Sequence, residues 1–168
     1  MDCSPPKDPW FAIKVRTGAE LRIGDSLEKK EFKIFVPTCI EPRPYSDRIK
    51  KVRVALFPGY VFSRFGASDK QKLLFTPGVE AVVSTAGVPE PIDEEEIGAI
   101  IKVVAATAAA EPWPYLKTGD RVRVMFGAFA GVEGILVRER GKDRLVLSVE
   151  KVERSMSVEI DRSWVRPV

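Results

Sequence analysis

Chemistry in a protein chain usually starts from histidine, paired cysteines or converging carboxylates, and this sequence is poor in all three. Its 168 residues contain no histidine and only two cysteines, Cys3 and Cys39. Without an imidazole, Ser-His-Asp and Cys-His nucleophilic mechanisms are excluded, and the commonest general base is missing. Two isolated cysteines cannot supply a four-ligand zinc site, so no metal and no cofactor is expected. Cys39 reads as a small, semi-buried strand-end residue. The one dense carboxylate run is Asp93-Glu94-Glu95-Glu96. Consecutive residues fan around a helix instead of converging, and negative charge at a helix start complements the helix dipole. The run therefore reads as a cap, and the chain as a non-enzyme.

Two groups remain that could recognise a partner. The first is the aromatic segment Leu56-Phe57-Pro58-Gly59-Tyr60-Val61-Phe62. Pro-Gly supplies a fixed φ and then a permissive one, which a type II turn or a sharp kink requires. Local pattern alone reads the three aromatics as core around a bent strand. The alternative is that some are presented on one face, since tyrosine and tryptophan anchor protein interfaces. The second group is basic: Arg43, Arg48, Lys50, Lys51 and Arg53, set against Glu41 and Asp47. It is either a solvated hairpin or a contact for phosphates. Lys plus Arg number 27 and Asp plus Glu 24, for a net charge of +3. That mild excess permits nucleic-acid binding without requiring it.

The elements that would position these groups follow from periodicity. Trp10–Val15 begins to alternate and predicts a strand. Thr17 can cap a helix to about Lys30, with Ala19, Ile23 and Leu27 on one face. Ile34-Phe35-Val36 is a short strand, residues 41–54 a loop or hairpin, and Leu56–Phe65 a strand interrupted at Pro58-Gly59. Ser68 and Gln71 have capping-box spacing for a short helix through Phe75. Val79–Ser84 predicts a strand. Asp93 is a good N-cap, with Glu96 three residues on and an Ile92/Ile97 staple, and Ile97, Ile100, Ile101 and Val104 form its apolar stripe. Beyond 104 the composition changes. An alanine run and Pro112-Trp113-Pro114 predict a linker over 105–116. Residues 117–168 show no helix signal, only short alternating strands with glycine turns, as expected of a small closed β-barrel.

The expected layout is thus a disordered lead-in at 1–8, an α+β domain at 9–104 with an antiparallel sheet flanked by helices, the linker, and an all-β domain. The polar N-terminus has no apolar signal core and no run spans a membrane. A cytoplasmic monomer is expected.

In order and spacing, the Trp10-Phe11 strand, Phe57-Pro58-Gly59-Tyr60-Val61-Phe62, and Thr76-Pro77-Gly78-Val79 before Val82-Val83-Ser84 resemble the N-terminal domain of the NusG/Spt5 family. Gly119-Asp120 through Gly134 is similar to its SH3-like KOW barrel. Tyr45-Ser46-Asp47-Arg48, Pro91–Ile97, Pro114–Lys117 and the ending Val165–Val168 are most similar to specialised UpxY/RfaH-like antiterminators. The resemblance implies an elongation and antitermination factor of specific long operons that suppresses pausing. It implies docking onto the clamp helices of the RNA polymerase largest subunit through Trp10, Phe11, Phe57, Pro58, Gly59, Tyr60 and Val79. Gate-loop contact falls on Ser68, Asp69, Lys70, Gln71 and Lys72, and contact with upstream or non-template DNA on Arg43 to Arg53. Phe126, Phe129 and Gly131 match the loop that recruits a ribosomal small-subunit protein or Rho. The alternating Val and Leu strands favour a stable barrel over the helical refolding known in RfaH. Two other readings stand beside this one: a housekeeping NusG acting with Rho, and a ribosome-associated RNA-binding barrel.

Overall fold

The computed structural model describes residues 8–168; the expected disordered lead-in falls almost entirely outside them. Two units are each compact. Of the described residues, one comprises 8–36 together with Gly59–Glu94, the other Pro37–Pro58 together with Glu95–Val168.

The first unit is built on a four-stranded antiparallel sheet of β1 (Trp10–Val15), β2 (Lys33–Phe35), β5 (Tyr60–Arg64) and β6 (Val79–Val82), in the order β2-β5-β1-β6. One face carries Ile13, Val15 and Val61. These pack with Ala19, Ile23 and Leu27 of α1 (Glu20–Lys29) and Leu73 of α2 (Lys70–Leu74). The 3.6-residue spacing of Ala19, Ile23 and Leu27 is what lets α1 lie flat on the sheet. Leu27 and Leu73 are fully buried.

Neither expected cap forms at α1 or α2. Helix α1 has Ala19 at its N-cap and no side-chain cap hydrogen bond. Thr17 is displaced because Glu20, in the first turn, reaches back and accepts from Gly18 N at 3.0 Å. The Ser68–Gln71 box is likewise absent. Ala67–Asp69 is a 3-10 turn that runs into α2 without a side-chain cap. The interruption expected at Pro58-Gly59 within Leu56–Phe65 is a turn that precedes β5, because Pro58 cannot donate to a ladder and Gly59 adopts φ +86°. A short hairpin of β7 (Ser84–Thr85) and β8 (Val88–Pro89) completes the unit.

The second unit contains a hairpin of β3 (Thr38–Pro44) and β4 (Ile49–Ala55). Most of α3 (Glu94–Ala106) also belongs to it; that helix begins one residue after Asp93 as expected. The buried residues of α3 are Ile97, Ile100 and Val103, so Val103 takes the place expected of Ile101 and Val104, both half-buried. Six strands follow in the order β14-β10-β11-β12-β13-β9: β9 (Glu111–Trp113), β10 (Asp120–Val124), β11 (Glu133–Glu139), β12 (Lys142–Val149), β13 (Arg154–Glu159) and β14 (Val165–Pro167). All pairs are antiparallel. Val122, Val124, Leu145, Leu147 and Val149 are buried as the alternation predicts, but Val146, expected to face out between them, is buried as well. The hairpin and helix tie in through Ile40 N to Ala108 O at 3.2 Å, Lys102 Nζ to Ala130 O, and Glu150 N to Glu96 Oε2 at 3.4 Å. Residues 111–113, expected as linker, form an edge strand on β13. Arg144 fastens it by pairing with Glu111 at 2.9 Å and lying over the Trp113 ring at 5.4 Å. No helix among the described residues is long and apolar enough to cross a membrane.

Cys39 is 1% exposed on β3. Burial pushes its thiol pKa up, and the charges of Glu41 and Glu111 push the same way. Because the thiolate is the nucleophile, Cys39 should react with an aromatic disulfide reagent at pH 8 only as fast as the protein opens. Full reaction within seconds in native buffer would contradict this burial.

Candidate docking and nucleic-acid surfaces

The turn Phe57-Pro58-Gly59-Tyr60 is held from beneath by one buried side chain. Glu20, 6% exposed, accepts through Oε1 from Gly59 N at 2.8 Å and from Gly18 N at 3.0 Å. Gly59 O accepts from Val15 N at 2.9 Å. A Cβ at Gly59 would lie 3.3 Å from Thr17 Oγ1, at a φ of +86° that other residues avoid. The turn therefore fixes where Tyr60 enters β5.

Strand alternation then divides the expected docking residues between two faces. Register places Trp10 opposite Arg64, Ala12 opposite Phe62 and Lys14 opposite Tyr60, while Phe35 lies opposite Phe62. These form the sheet face away from α1 and α2, an aromatic face of Trp10, Phe35, Tyr60 and Phe62. Trp10 meets Phe35 edge-on at 6.4 Å, and Phe35 lies 6.4 Å from Phe62. Phe11 and Val79 belong to the opposite, helix-packed face, where Phe11 lies 4.8 Å from Phe65. The structure thus brings Trp10 and Tyr60 to one face and leaves Phe11 and Val79 on the other. Trp10 is 3% and Phe57 and Phe62 are 0% exposed, so none of the three offers area to a partner; Phe35 and Tyr60 are half-buried and Pro58 exposed.

Polar groups edge this face. The Arg64 guanidinium lies 4.8 Å and Lys33 Nζ 5.8 Å from the Trp10 ring centroid. Arg64 also holds Glu94 with two hydrogen bonds of 2.8 and 2.9 Å and donates to Asp8 O at 2.7 Å. Sequence reading missed Phe35 and Arg64 because their role comes from cross-strand register, which is set by pairing over long separations.

The 68–72 cluster stays together at the start of α2. Ser68, Asp69, Gln71 and Lys72 are exposed and Lys70 is half-buried. Lys72 donates to Lys30 O at 3.0 Å and lies 5.6 Å from the Phe32 ring centroid. Phe75, just beyond, is 79% exposed.

On the β3–β4 hairpin the five cations divide by face. Arg43 stands directly opposite Lys50; Lys51 stands opposite Pro42 and Arg53 opposite Ile40. Arg53 is engaged with Thr38 Oγ1 at 2.8 Å, and Arg43 has Glu41 at 3.9 Å. Arg48 lies in the turn, closed by Tyr45 N to Arg48 O at 2.7 Å. Like charges directly across a ladder are destabilising, so the Arg43/Lys50 pair favours an anion between them. Tyr45 and Ile49 project beside the turn, 54% and 73% exposed.

In the β10–β11 loop, Phe126 is 58% exposed, Phe129 half-buried and Gly131 exposed at φ +91°. The structure adds Trp164, 41% exposed, from the far end of the chain. Met125 N donates to Trp164 O at 2.7 Å, and a Cβ on Gly127 would come within 2.6 Å of the indole. Trp164 ends a 3-10 turn, Arg162–Trp164, capped by Asp161, which accepts from Ser163 Oγ at 2.7 Å and Ser163 N at 2.8 Å. Those bonds hold the Asp161 carboxyl below the ordinary aspartate range. A depressed folded pKa contributes stability above the unfolded pKa and loses it as pH falls through the folded one. The Ser163 amide resonance should therefore titrate with a midpoint below that of a free aspartate. A midpoint at or above it would mean the cap does not form.

The model of the family described as "Transcription termination factor nusG" matches residues 8–101, more than half of the chain. Relatives named "Transcription termination/antitermination protein NusG" are similar along nearly their whole length. The Deinococcus radiodurans protein is 30% identical over 93% of this chain and 97% of its own. The Thermus thermophilus protein is 28% identical over 93% and 96%. A solved structure titled "Domain interaction in Thermotoga maritima NusG" shares the fold with a TM-score of 0.56 at 22% identity, over 96% of this chain and 98% of that one. The chain belongs to the NusG family, a family of transcription factors and not of enzymes.

Proposed function

We propose that this protein is a transcription elongation and antitermination factor that rides on RNA polymerase, docking through the aromatic sheet face at Tyr60. The observation that carries this reading is the locked turn. Glu20 and Gly59 hold Tyr60 at the end of an aromatic face in a chain with no catalytic constellation. An apolar face takes a helix by burying its i, i+3 and i+4 side chains, and the polymerase clamp helices are the partner inferred. The family match over residues 8–101 supports reading 9–104 as the docking domain, and the antiparallel strands β10–β14 support reading 117–168 as the KOW domain. In this reading the exposed 68–72 cluster meets the gate loop. The Arg43/Lys50 pair and Arg48 take phosphates of upstream or non-template DNA, and Phe126 with Phe129 engages a ribosomal small-subunit protein or Rho.

Tyr60→Ala should weaken capture of RNA polymerase about thirtyfold, as for a central interface anchor worth about 2 kcal/mol, with a smaller loss of melting temperature than Trp10→Ala. Wild-type capture by this variant sinks the docking face. Trp10→Ala should lose both capture and stability, since Trp10 is buried. A role specialised to long operons predicts that the protein increases read-through of a Rho-dependent terminator. The names of the relatives favour the general factor instead, and increased Rho-dependent termination in that assay would decide for it.

A further inference from the structure

We propose that the outer edge of β13 is a strand-acceptor site for an acidic, aromatic peptide segment, and that β9 occupies it as a displaceable latch. The site is separate from the loop of Phe126 and Phe129 and needs no part of the polymerase reading. Residues 111–113 are the outermost neighbour of β13, with Glu111 opposite Ser157, Pro112 opposite Met156 and Trp113 opposite Ser155. Proline has no N–H, and bonded and non-bonded pairs alternate along an antiparallel ladder. The ladder bonds therefore fall on the Glu111 and Trp113 pairs, and the nitrogen of Pro112 faces outward. A strand built this way closes the barrel edge without offering a full edge of its own. Its hold is short: three paired positions, against six between β12 and β13. Glu111 and Pro112 are exposed and Trp113 is half-buried.

The contacts that β9 fills define what this edge recognises. The Arg144 side chain, only 11% exposed, pairs with Glu111 at 2.9 Å. Its guanidinium lies 5.4 Å from the Trp113 ring centroid, and its Nε donates to Ser157 Oγ at 2.9 Å. Removing one partner of a buried ion pair leaves an uncompensated charge. Whatever replaces β9 must therefore bring a carboxylate, and an aromatic ring two residues later for the guanidinium to lie on. Three residues further on, backbone is read directly. Leu116 N donates to Ser155 Oγ at 3.1 Å, and Leu116 O accepts from Ser148 Oγ at 2.7 Å, the two hydroxyls standing 2.6 Å apart. Those bonds hold an extended backbone whatever its side chain. The ligand class is thus an extended segment of the form carboxylate, any residue, aromatic, added to a sheet edge. Its arrival returns residues 105–116 to the slack linker that composition predicts, so occupancy of β13 controls the tie between α3 and the barrel.

The test uses the full-length protein and a labelled peptide with the sequence of residues 109–117. Wild type should bind it weakly, because β9 competes as a tethered segment at an effective concentration of about millimolar. Glu111→Ala/Trp113→Ala in the protein strips β9 of both side-chain contacts and leaves the β13 edge intact. That variant should bind the peptide about tenfold or more tightly than wild type does. Peptides carrying Glu111→Gln or Trp113→Ala should bind it about tenfold more weakly. Arg144→Met in the same variant should erase the difference between the Glu and Gln peptides, since the two changes remove one contact. A second measurement needs no variant. With unlabelled peptide in excess, amide exchange at Trp113 of the wild-type protein should accelerate while Ser155 and Ser157 stay protected. The proposal fails if the double variant binds no better than wild type while Leu145 and Leu147 keep their amide protection. It fails if the Gln peptide binds as tightly as the Glu peptide, or if peptide binds and Trp113 stays protected. It fails equally if the double variant forms a dimer that the peptide does not dissociate, because the edge then prefers a second copy.

Discussion

Glu20→Ala should destabilise the N-terminal unit by about 1–3 kcal/mol and abolish polymerase capture, although Glu20 offers no surface to any partner. The side chain is buried, and a single oxygen, Oε1, accepts from both Gly18 N and Gly59 N. Alanine leaves the buried Gly59 N without its acceptor, while Gly18, which is exposed, can turn its N–H to water. Each buried donor left unsatisfied costs about 1–3 kcal/mol. The functional loss is the more informative part. Gly59 sits at φ +86° only because the turn is held on both sides, by Glu20 below and by Val15 N on its carbonyl. Releasing one side lets the turn relax and moves the start of β5, and Tyr60 is its first residue. Glu20→Gln is the discriminating companion. Its amide oxygen can accept from the same two donors, so stability and capture should both return to within a few-fold of wild type. Capture by Glu20→Ala equal to wild type, with the expected loss of stability, would show that the turn does not position the docking side chain.

The same region marks where sequence reading succeeds and where it stops. Pro58-Gly59 declared a turn by backbone chemistry alone, and Ala19, Ile23 and Leu27 declared the buried side of α1 by spacing. Both are local rules and both hold. The partner of the turn was not legible. Glu20 and Gly59 are 39 residues apart, and a glutamate at the first turn of a helix reads as an exposed, dipole-favoured residue. The expected caps failed for a related reason. A hydroxyl at Thr17 or Ser68 is one acceptor among several, and the backbone around Gly18 found a better one in Glu20. Trp10 and Phe11 looked like one patch because they are adjacent, yet period-two alternation sends them to opposite faces. On the C-terminal barrel, inward valines and leucines other than Val146 were plain from alternation. The opposition of Arg123 and Arg166 depends on which strands pair, and no local pattern specifies that β14 closes against β10.

Gly134→Ala should have the other large effect, because of that long-range pairing. Gly134 lies on β11, and a Cβ there would stand 2.7 Å from Val146 O and 2.9 Å from both Leu145 Cδ1 and Leu147 Cδ2. The leucine side chains could shift rotamer, but the Val146 carbonyl is backbone, and Val146 pairs with Ile135 next to Gly134. Relief must therefore come from separating β11 and β12. Overpacking a close-packed core costs about 1–3 kcal/mol, and a clash with paired backbone belongs at or above the top of that range. Gly141→Ala is the matched control for backbone freedom. It sits in a turn at φ +78° with nothing within 4 Å of the added Cβ, so it carries conformational strain without the clash. Gly134→Ala should lower the denaturant midpoint well beyond Gly141→Ala and accelerate amide exchange at Ile135 and Val146 first. If the two variants lose the same stability, the cost comes from lost glycine freedom, and β11 and β12 are not packed as closely as their register requires.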